Sequence, residues 1–515
     1  MLGVIQYSLL TVFWLPVIGA GLYAAGLIIY RLLLSPLARF PGPKLAALTR
    51  KYESYYEAVQ NYEYVWKIKS MHQKYGPIIR INPHELHIDD NDFFDKLNSF
   101  QGKWDKDPFT AHQFANPGSL VGTIDHDLHR KRRAAVLPFF SKQKIYALEP
   151  VIQSTIDKLC DKLQFYQKTG QPLNIRNAFK CFAADVVAEY CFAESGGLLD
   201  KPNFAAENWV QHQQGLKSGL RARYLPQWYM PVVRGAPAWI RQTVDPAAKH
   251  FEVWHRDVQG PVGRMETRKN DEFYEKAGHR TIFHELINSP HLPPAEKGTI
   301  RVIQEAGAMV GAGGESTSQV LGAFMYCLLA NPQVLSRLRK ELHTVVPTAD
   351  SPSPSLRQLE ALPYLTGCVK EALRLRTGKI ARHQRVPAGR SLYYKDWEIP
   401  AGTIVSMTPI FLHIDPEIFP NPHTFNPERW LNLDEAERQR LEHYFVPYSK
   451  GTRQCAAITL ANAELYMCIA AVVIRFDLEL FETDEWDTEM AVDSHHHSPR
   501  VGSKGIQVFA KRSTF

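Results

Sequence analysis

No charged side chain occurs in this 515-residue sequence before Arg31, and that fixes how the chain can begin to fold. Leu9 to Tyr30 wound as a helix would span ~33 Å at ~1.5 Å per residue, enough for the ~30 Å hydrocarbon core of a bilayer. A cleaved secretory signal needs a basic leader and an apolar stretch of only ~7–15 residues, and this segment has neither. It reads as an uncleaved anchor over residues 1–30. Arg31, Arg39, Lys44, Arg50 and Lys51 follow with no acid before Glu53, which by the positive-inside rule keeps this end in the cytosol. Within that flank, residues 31–50, the run Phe40-Pro41-Gly42-Pro43 interrupts helix, because each proline fixes its own φ and pushes its predecessor toward extended conformations. The expectation is a single pass through the endoplasmic reticulum membrane, a stiff elbow, and a cytosolic body over residues 51–515.

The composition is that of a folded protein: 45% hydrophobic and 22% charged residues argue against both disorder and a fibre. Lysine and arginine number 60 against 53 acids, a net charge of +7 with no run of five like charges, so nucleic acid is not the expected partner. Seven cysteines, Cys160, Cys181, Cys191, Cys327, Cys368, Cys455 and Cys468, are odd in number and contain no C-x-x-C pair, which points to a reducing compartment without structural disulfides. Apolar residues at three- and four-residue spacing predict helices over Ala147 to Lys168, Ala178 to Ala193, Arg301 to Leu329, Gln333 to Val345 and Leu365 to Arg376. Short β-branched runs predict strands at Ile78 to Ile81, Glu85 to Ile88, Ser391 to Tyr394 and Thr403 to Met407. Ser351 to Ser355 reads as a loop. The body is expected to be mainly α, an α+β fold with small β-sheets.

The chemistry-bearing residues lie in the second half. Tyr448-Ser449-Lys450-Gly451-Thr452-Arg453-Gln454-Cys455-Ala456-Ala457 precedes a helical pattern from Ile458 to Val473, so Cys455 sits near a helix N-terminus, where amide dipoles favour a thiolate. A lone cysteine is more often an inert buried thiol, and the local setting leaves both readings open. Glu371 and Arg374, three apart on one helical face, would by themselves be an ordinary surface pair. Phe425-Asn426-Pro427-Glu428-Arg429-Trp430 then follows, ahead of the cysteine loop. Upstream, Gly307, Gly311, Gly313 and Gly314 fall inside one helical stretch at ~1 kcal/mol each relative to alanine. Either close helix packing or a functional opening explains them.

With the charge-free anchor, the Pro-Gly-Pro elbow and Ala312-Gly313-Gly314-Glu315-Ser316-Thr317, these motifs in this order resemble the cytochrome P450 haem-thiolate family over nearly the whole chain. The resemblance implies the cytochrome P450 fold for residues 51–515 and haem b, iron protoporphyrin IX, as cofactor. Cys455 would be the axial thiolate, a donor that pushes electron density onto iron. Glu371, Arg374 and Arg429 would form the buried network that holds the cysteine loop, and Arg453 and Arg385 would pair with haem propionates. Where the family usually has Trp-x-x-x-Arg, counting back from Pro138-Phe139-Phe140-Ser141 puts His129 and Arg133, both able to donate to a propionate. Two further departures concern the loop, which has Tyr448 for the usual Phe and Ala457 for the usual Gly. In the glycine-rich helix the usual threonine is Ser316, followed by Thr317. Glu315 and Ser316, with Thr317 as a further catalytic candidate, would handle protons during oxygen activation, with the helix opening locally.

By the same resemblance Ala308, Gly311 and Ala312 would face the substrate, and their small size implies a roomy pocket for a bulky lipophilic molecule. Trp104, Phe109, Phe114, Leu120, Val121, Ile380 and Ala381 are candidate walls that ordinary core packing explains equally well. His495-His496-His497 does not read as a metal site, since consecutive side chains diverge. The implied activity is monooxygenation with dioxygen and NADPH. The residues after Cys455 are too few for a flavin domain, so the electrons are expected from a separate NADPH-cytochrome P450 reductase. The loop, elbow and Pro-Glu-Arg-Trp details look most like filamentous-fungal members that tailor terpenoids or polyketides. A haem-thiolate isomerase or dehydratase that needs no reductase, and a non-enzymatic haem-binding membrane protein, are the alternatives; the acid-alcohol pair Glu315-Ser316 argues against both.

Overall fold

The computed structural model describes residues 2–60, 63–111, 116–207, 229–244, 281–347, 352–377, 380–488 and 502–512, with a few further positions between 209 and 225 and between 490 and 498. The first helix, α1 (Leu2–Ile29), runs on through a π-helical turn, Tyr30–Leu34. From Trp14 to Leu34 it is long and apolar enough to cross a membrane, with none of it buried against the body. A second helix, Ile458–Arg475, passes the same test of length and apolarity, but two thirds of it is buried, so it belongs to the core.

The elbow is fastened to the body through β1 (Ile78–Asn82). The Arg80 amide donates to the Pro41 carbonyl at 2.7 Å, and the Arg80 guanidinium donates to the carbonyl of Arg31 at 2.7 Å. Gly42 adopts φ +150°, and a Cβ there would stand 2.5 Å from the Arg80 carbonyl, so glycine is required where the elbow crosses the strand.

The body is built on six further helices that bear on the site: α2 (His126–Val136), α3 (Lys142–Thr169), α4 (Ile175–Phe192), α5 (Thr299–Ala330), α6 (Pro363–Leu375) and α7 (Ile458–Arg475). The main core joins α3, α4, α5, α6 and α7 through residues such as Ile156, Phe182, Phe324, Leu365 and Ile469. The α4–α5 contact is unusually close because both helices offer small residues. A Cβ on Gly313 would lie 2.5 Å from Val187, and one on Gly314 would lie 3.0 Å from the Ala184 methyl. Close packing therefore accounts for two of the four glycines. The helix is continuous from Thr299 to Ala330, with no break at the glycines.

A five-stranded sheet forms from β1, β2 (Glu85–Ile88), β3 (Trp104–Asp105), β4 (His383–Pro387) and β5 (Ile404–Met407), in the order β1-β2-β5-β4-β3. Its pairs are antiparallel except β2 with β5, where Glu85 stands opposite Ile404. This topology sets Arg385, opposite Val405, on the strand next to Trp104. A second sheet has Gln507–Arg512 between Leu173–Asn174 and Phe476–Leu480. The five helices expected from periodicity are all present, and so are the four strands, with Leu392–Tyr394 pairing Trp397–Ile399 as a hairpin.

Candidate active site

Of the seven cysteines six are buried, and Cys455 alone is exposed. Its loop is shaped by contacts at both ends. Gly451 has φ +73°, and a Cβ there would lie 1.9 Å from the Asn98 carbonyl oxygen, so only glycine fits. The Cys455 amide donates to Tyr448 O at 3.1 Å, and Arg133 donates to Gln454 O at 2.5 Å. Both departures from the expected loop have local reasons. The Tyr448 hydroxyl donates to Asn462 Oδ1 at 2.7 Å, which satisfies the extra polar group. Ala457 sits at φ −100°, a conformation that does not call for glycine. Surrounding protein pushes the Cys455 thiol above its usual range, opposed by the Ala457 amide and the Arg133 guanidinium. Desolvation thus outweighs the helix-terminus effect expected from sequence; a bound metal ion reverses that balance by deprotonating the sulfur outright.

Behind the loop lies a completed ionic network. Arg374 makes two bonds to the Glu371 carboxylate, at 2.7 and 3.0 Å, and both side chains are fully buried. Arg429 approaches Glu371 at 3.3 Å, and the Trp430 indole donates to it at 2.9 Å. The remaining donors of Arg374 reach the carbonyls of His413 and Pro422 at 2.6 and 2.7 Å. One carboxylate therefore gathers α6, the segment before the cysteine loop and the Pro-Glu-Arg-Trp turn, with the buried charges paired. His413 extends the tie, accepting from the Val446 amide at 2.9 Å.

On the other side of the loop, positive charge accumulates. Arg453 donates only to carbonyls, those of Thr123, Trp104 and Ile124 at 2.8, 3.2 and 2.7 Å, and its Nε is buried without a partner. Arg385 donates to Asn98 and to Gln384 O at 2.8 and 3.0 Å. Burial and then Arg453 bring Arg385 down to about 9; burial and then Arg133 lower Arg453 to about 10 against the pull of Asp105 and Asp125. His129 is held down to about 2 by burial, then by Arg453, Lys106 and Arg133, so it stays neutral. Among the described residues no carboxylate comes within ion-pair distance of Arg133, Arg385 or Arg453.

Across α5 the three expected proton-handling residues do not cluster. Glu315 is buried and turned to α4, where Arg176 meets it at 2.7 Å and Lys180 pairs with its other oxygen, while Gln319, one turn on in α5 itself, donates at 2.9 Å. Ser316 is half-exposed and donates back to the Ala312 carbonyl at 2.8 Å. Thr317 is buried and faces the carboxyl of Glu464 on α7, which burial pushes up to about 8. Ala308, Gly311, Ala312 and Ser316, spaced as one helical face, remain partly or wholly exposed while the opposite face is packed.

The profile of the cytochrome P450 family matches residues 55–500. The chain belongs to that family. It is 71% identical, over the full length of both chains, to the grayanic acid biosynthesis cluster cytochrome P450 monooxygenase of Cladonia grayi. It is 39% identical to the cytochrome P450 monooxygenase MO6277 of Ascocoryne sarcoides over 98% of this chain and all of that one, and 40% identical to the tryptophan 6-hydroxylase fscE of Fusarium equiseti over 94% of each. The P450 is accordingly an oxygen-incorporating oxidoreductase, and its cofactor is the iron of protoporphyrin IX haem.

The residues present fit that group. A dianion beside Arg133, Arg385 and Arg453 would supply the negative charge the cluster lacks and a partner for the orphaned Arg453 Nε. Cys455 is exposed, and α5 keeps an open face of small residues.

The other candidate walls divide. Trp104 packs in the sheet core with Phe94 and Met407, and Ile380 is fully buried among Tyr64, Ile79 and Phe411. Leu120 is buried, while Val121 is exposed. Phe114 and the His495-His496 pair lie outside the described residues. Sequence reasoning passed over Glu305, buried at the head of α5, which accepts from the Leu120 amide at 3.1 Å and from Arg301 at 2.6 Å. It also passed over Arg176, Lys180 and Glu464. Each lies in an apolar helical run that reads simply as core, and only a charged residue out of phase with its surface face gives a signal.

Proposed function

We propose that this P450 is a membrane-anchored monooxygenase of fungal secondary metabolism that inserts one oxygen atom into a bulky lipophilic polyketide- or terpenoid-type molecule, with electrons from NADPH through a separate reductase. The carrying observation is the run of small side chains Ala308, Gly311 and Ala312 left open on α5; in this reading that face and Cys455 flank the haem and leave room for a large ligand. The relative from the grayanic acid cluster supports a cluster-encoded role, and α1 with its basic flank supports anchoring in the endoplasmic reticulum membrane with the body, from residue 51, in the cytosol.

In this reading Cys455 ligates the iron, and the haem when bound supplies the redox chemistry that activates dioxygen. Arg133, Arg385 and Arg453 bind the propionates, with His129 as a neutral donor beside them. Glu371, Arg374 and Arg429 keep the cysteine loop at fixed height. Ser316 presents a hydroxyl to the open side of α5, Glu315 holds the helix against α4, and Thr317 with Glu464 lies beneath. Membranes carrying the chain, supplied with reductase, NADPH and candidate metabolites, should yield products heavier by one oxygen atom in mass spectrometry. Turnover that proceeds without reductase or NADPH would instead favour an isomerase.

A further inference from the structure

The open face of α5 stops where a loop is pinned across it. Glu305, Ala308 and Ala312 share one face of the helix, yet Ala308 is half-buried and Ala312 exposed, while Glu305 is only 1% exposed. What covers Glu305 is the segment 116–124. The Leu120 amide donates to both Glu305 oxygens, at 3.2 and 3.1 Å, and the Gly118 amide donates to the neighbouring Gln304 Oε1 at 2.6 Å. From α2, Arg132 reaches the same segment through Pro117 O at 3.2 Å and Thr123 Oγ1 at 2.8 Å. Arg453 holds its far end through the carbonyls of Thr123 and Ile124 at 2.8 and 2.7 Å. Within the loop, Ser119 Oγ donates to Asn116 O at 2.8 Å and Thr123 Oγ1 to Ser119 O at 2.7 Å. The Glu305 carboxylate is itself set in place. Arg301, one turn earlier, donates to it at 2.6 Å, and Arg301 Nε lies 3.7 Å from Glu296, which Arg132 holds with two bonds at 2.6 and 3.1 Å.

We propose that Glu305 is a positioning residue for the substrate: by fastening the segment 116–124 across α5 it fixes the end wall of the pocket and so sets the longest molecule the pocket accepts. The role rests on the reading that Ala308, Gly311 and Ala312 line that pocket. A loop across an open helix face could be a soft wall that yields to a longer ligand. Here it is not, because retreat of the loop would take the Leu120 amide from a buried carboxylate, and a buried charge stripped of its donor is costly. The ring of Arg132, Glu296, Arg301 and Glu305 adds to the stiffness, since α2, the turn before α5 and α5 itself are joined by ion pairs that shift only together. Glu305 therefore acts on the substrate through the loop and without touching it.

The test titrates the full-length holoenzyme with N-alkylimidazoles of increasing chain length, each followed by the shift of the haem absorption band. In the wild type affinity should tighten by up to about fourfold per added methylene, the worth of one buried CH2, until the chain meets the loop, and then stop rising. In Glu305→Ala the stop should move to a longer homologue. The first chain too long for the wild type should then bind about fourfold tighter, with unsubstituted imidazole bound as before and the carbon-monoxide spectrum intact. Glu305→Gln keeps an acceptor for the Leu120 amide and should keep the wild-type stop. Gln304→Ala removes the neighbouring anchor without unpairing a buried charge, and it should move the stop in the same direction even if Glu305→Ala fails to fold. Ala308→Phe separates this role from the reading beneath it, because it should weaken the longer homologues. If it leaves the whole series unchanged, the open face of α5 does not line the pocket and both fall. If it weakens them while Glu305→Ala and Gln304→Ala keep the wild-type stop, the role of Glu305 alone is overturned.

Discussion

Glu315 and Arg176 meet at 2.7 Å across the α4–α5 contact, with Lys180 on the second carboxylate oxygen. The acid in the centre of the glycine-rich helix is therefore held by two cations of a neighbouring helix. Burial lowers the Lys180 ammonium, and Glu315 is the charge that offsets this. Glu315→Gln leaves that ammonium buried and unpaired, a loss of ~3–5 kcal/mol of stability. Denaturant unfolding of the purified variant should show a midpoint shift of that size. Unchanged stability would mean that Lys180 is relieved by water or by its Trp209 ring contact at 4.3 Å.

Glu464 predicts a pH effect of definite sign. Its carboxyl is raised from the ordinary 4.5 to about 8, chiefly by burial and against the Thr317 hydroxyl, so the folded protein holds the proton more tightly than the unfolded chain. The stability it contributes is full below about 4.5 and is lost as pH rises through about 8. Glu464→Gln, which cannot ionise, should be the more stable form at alkaline pH, and its advantage should shrink on acidification. Melting temperatures of both proteins across this range check it; parallel curves would show that Glu464 is ionised throughout.

Much of this architecture is legible in the sequence because it is written in local patterns. The periodicity of α3 to α7, the charge-free anchor and the cysteine loop need no knowledge of distant contacts. The departures Tyr448 and Ala457 were also readable, and their tolerance follows from a hydroxyl partner at Asn462 and a negative φ. What the sequence hides is pairing over long range. Arg385 lies on β4, a strand with Pro387 at its end, and Gln507–Arg512 pairs with a segment more than three hundred residues earlier. The acid, the serine and the threonine of α5 are adjacent in sequence, yet the helical turn of ~100° per residue sends them to three different partners. For Gly313 and Gly314 the sequence leaves close packing and a functional opening both open, and the Val187 and Ala184 contacts decide for packing.

Cys455, exposed where every other cysteine is buried, is expected to carry the spectroscopic signature of the family. Cys455→Ala should abolish the red-shifted absorption of the reduced carbon-monoxide complex. The fold should survive, since the loop is held by Glu371, Arg374 and Gly451, and the contact of the Ala457 amide with the Cys455 sulfur is a minor part of that hold. Far-ultraviolet circular dichroism should therefore be unchanged. A variant that kept the shifted band would remove Cys455 as the ligand.

Ser316 predicts a separation between binding and coupling. Its hydroxyl lies on the open face of α5 and donates to Ala312 O at 2.8 Å, one turn back, which leaves its lone pairs free to accept from water. A hydroxyl so placed can hold a water on the open side by accepting from it, and it relays a proton only by releasing its own bond to the Ala312 carbonyl. Ser316→Ala should leave haem content and substrate affinity near wild type, because neither the propionate cluster nor the Glu371 network touches it. Product formed per NADPH consumed should fall, with the lost electrons recovered as hydrogen peroxide, by up to ~10²-fold if proton transfer limits the rate. Ser316→Thr adds only a methyl and should keep coupling roughly intact. The measurement is a reconstituted assay with reductase in which NADPH, product and peroxide are counted together. Equal coupling in wild type and Ser316→Ala would move the role to Thr317, which is buried against Glu464, and the double variant Ser316→Ala/Thr317→Val would then be the one to uncouple.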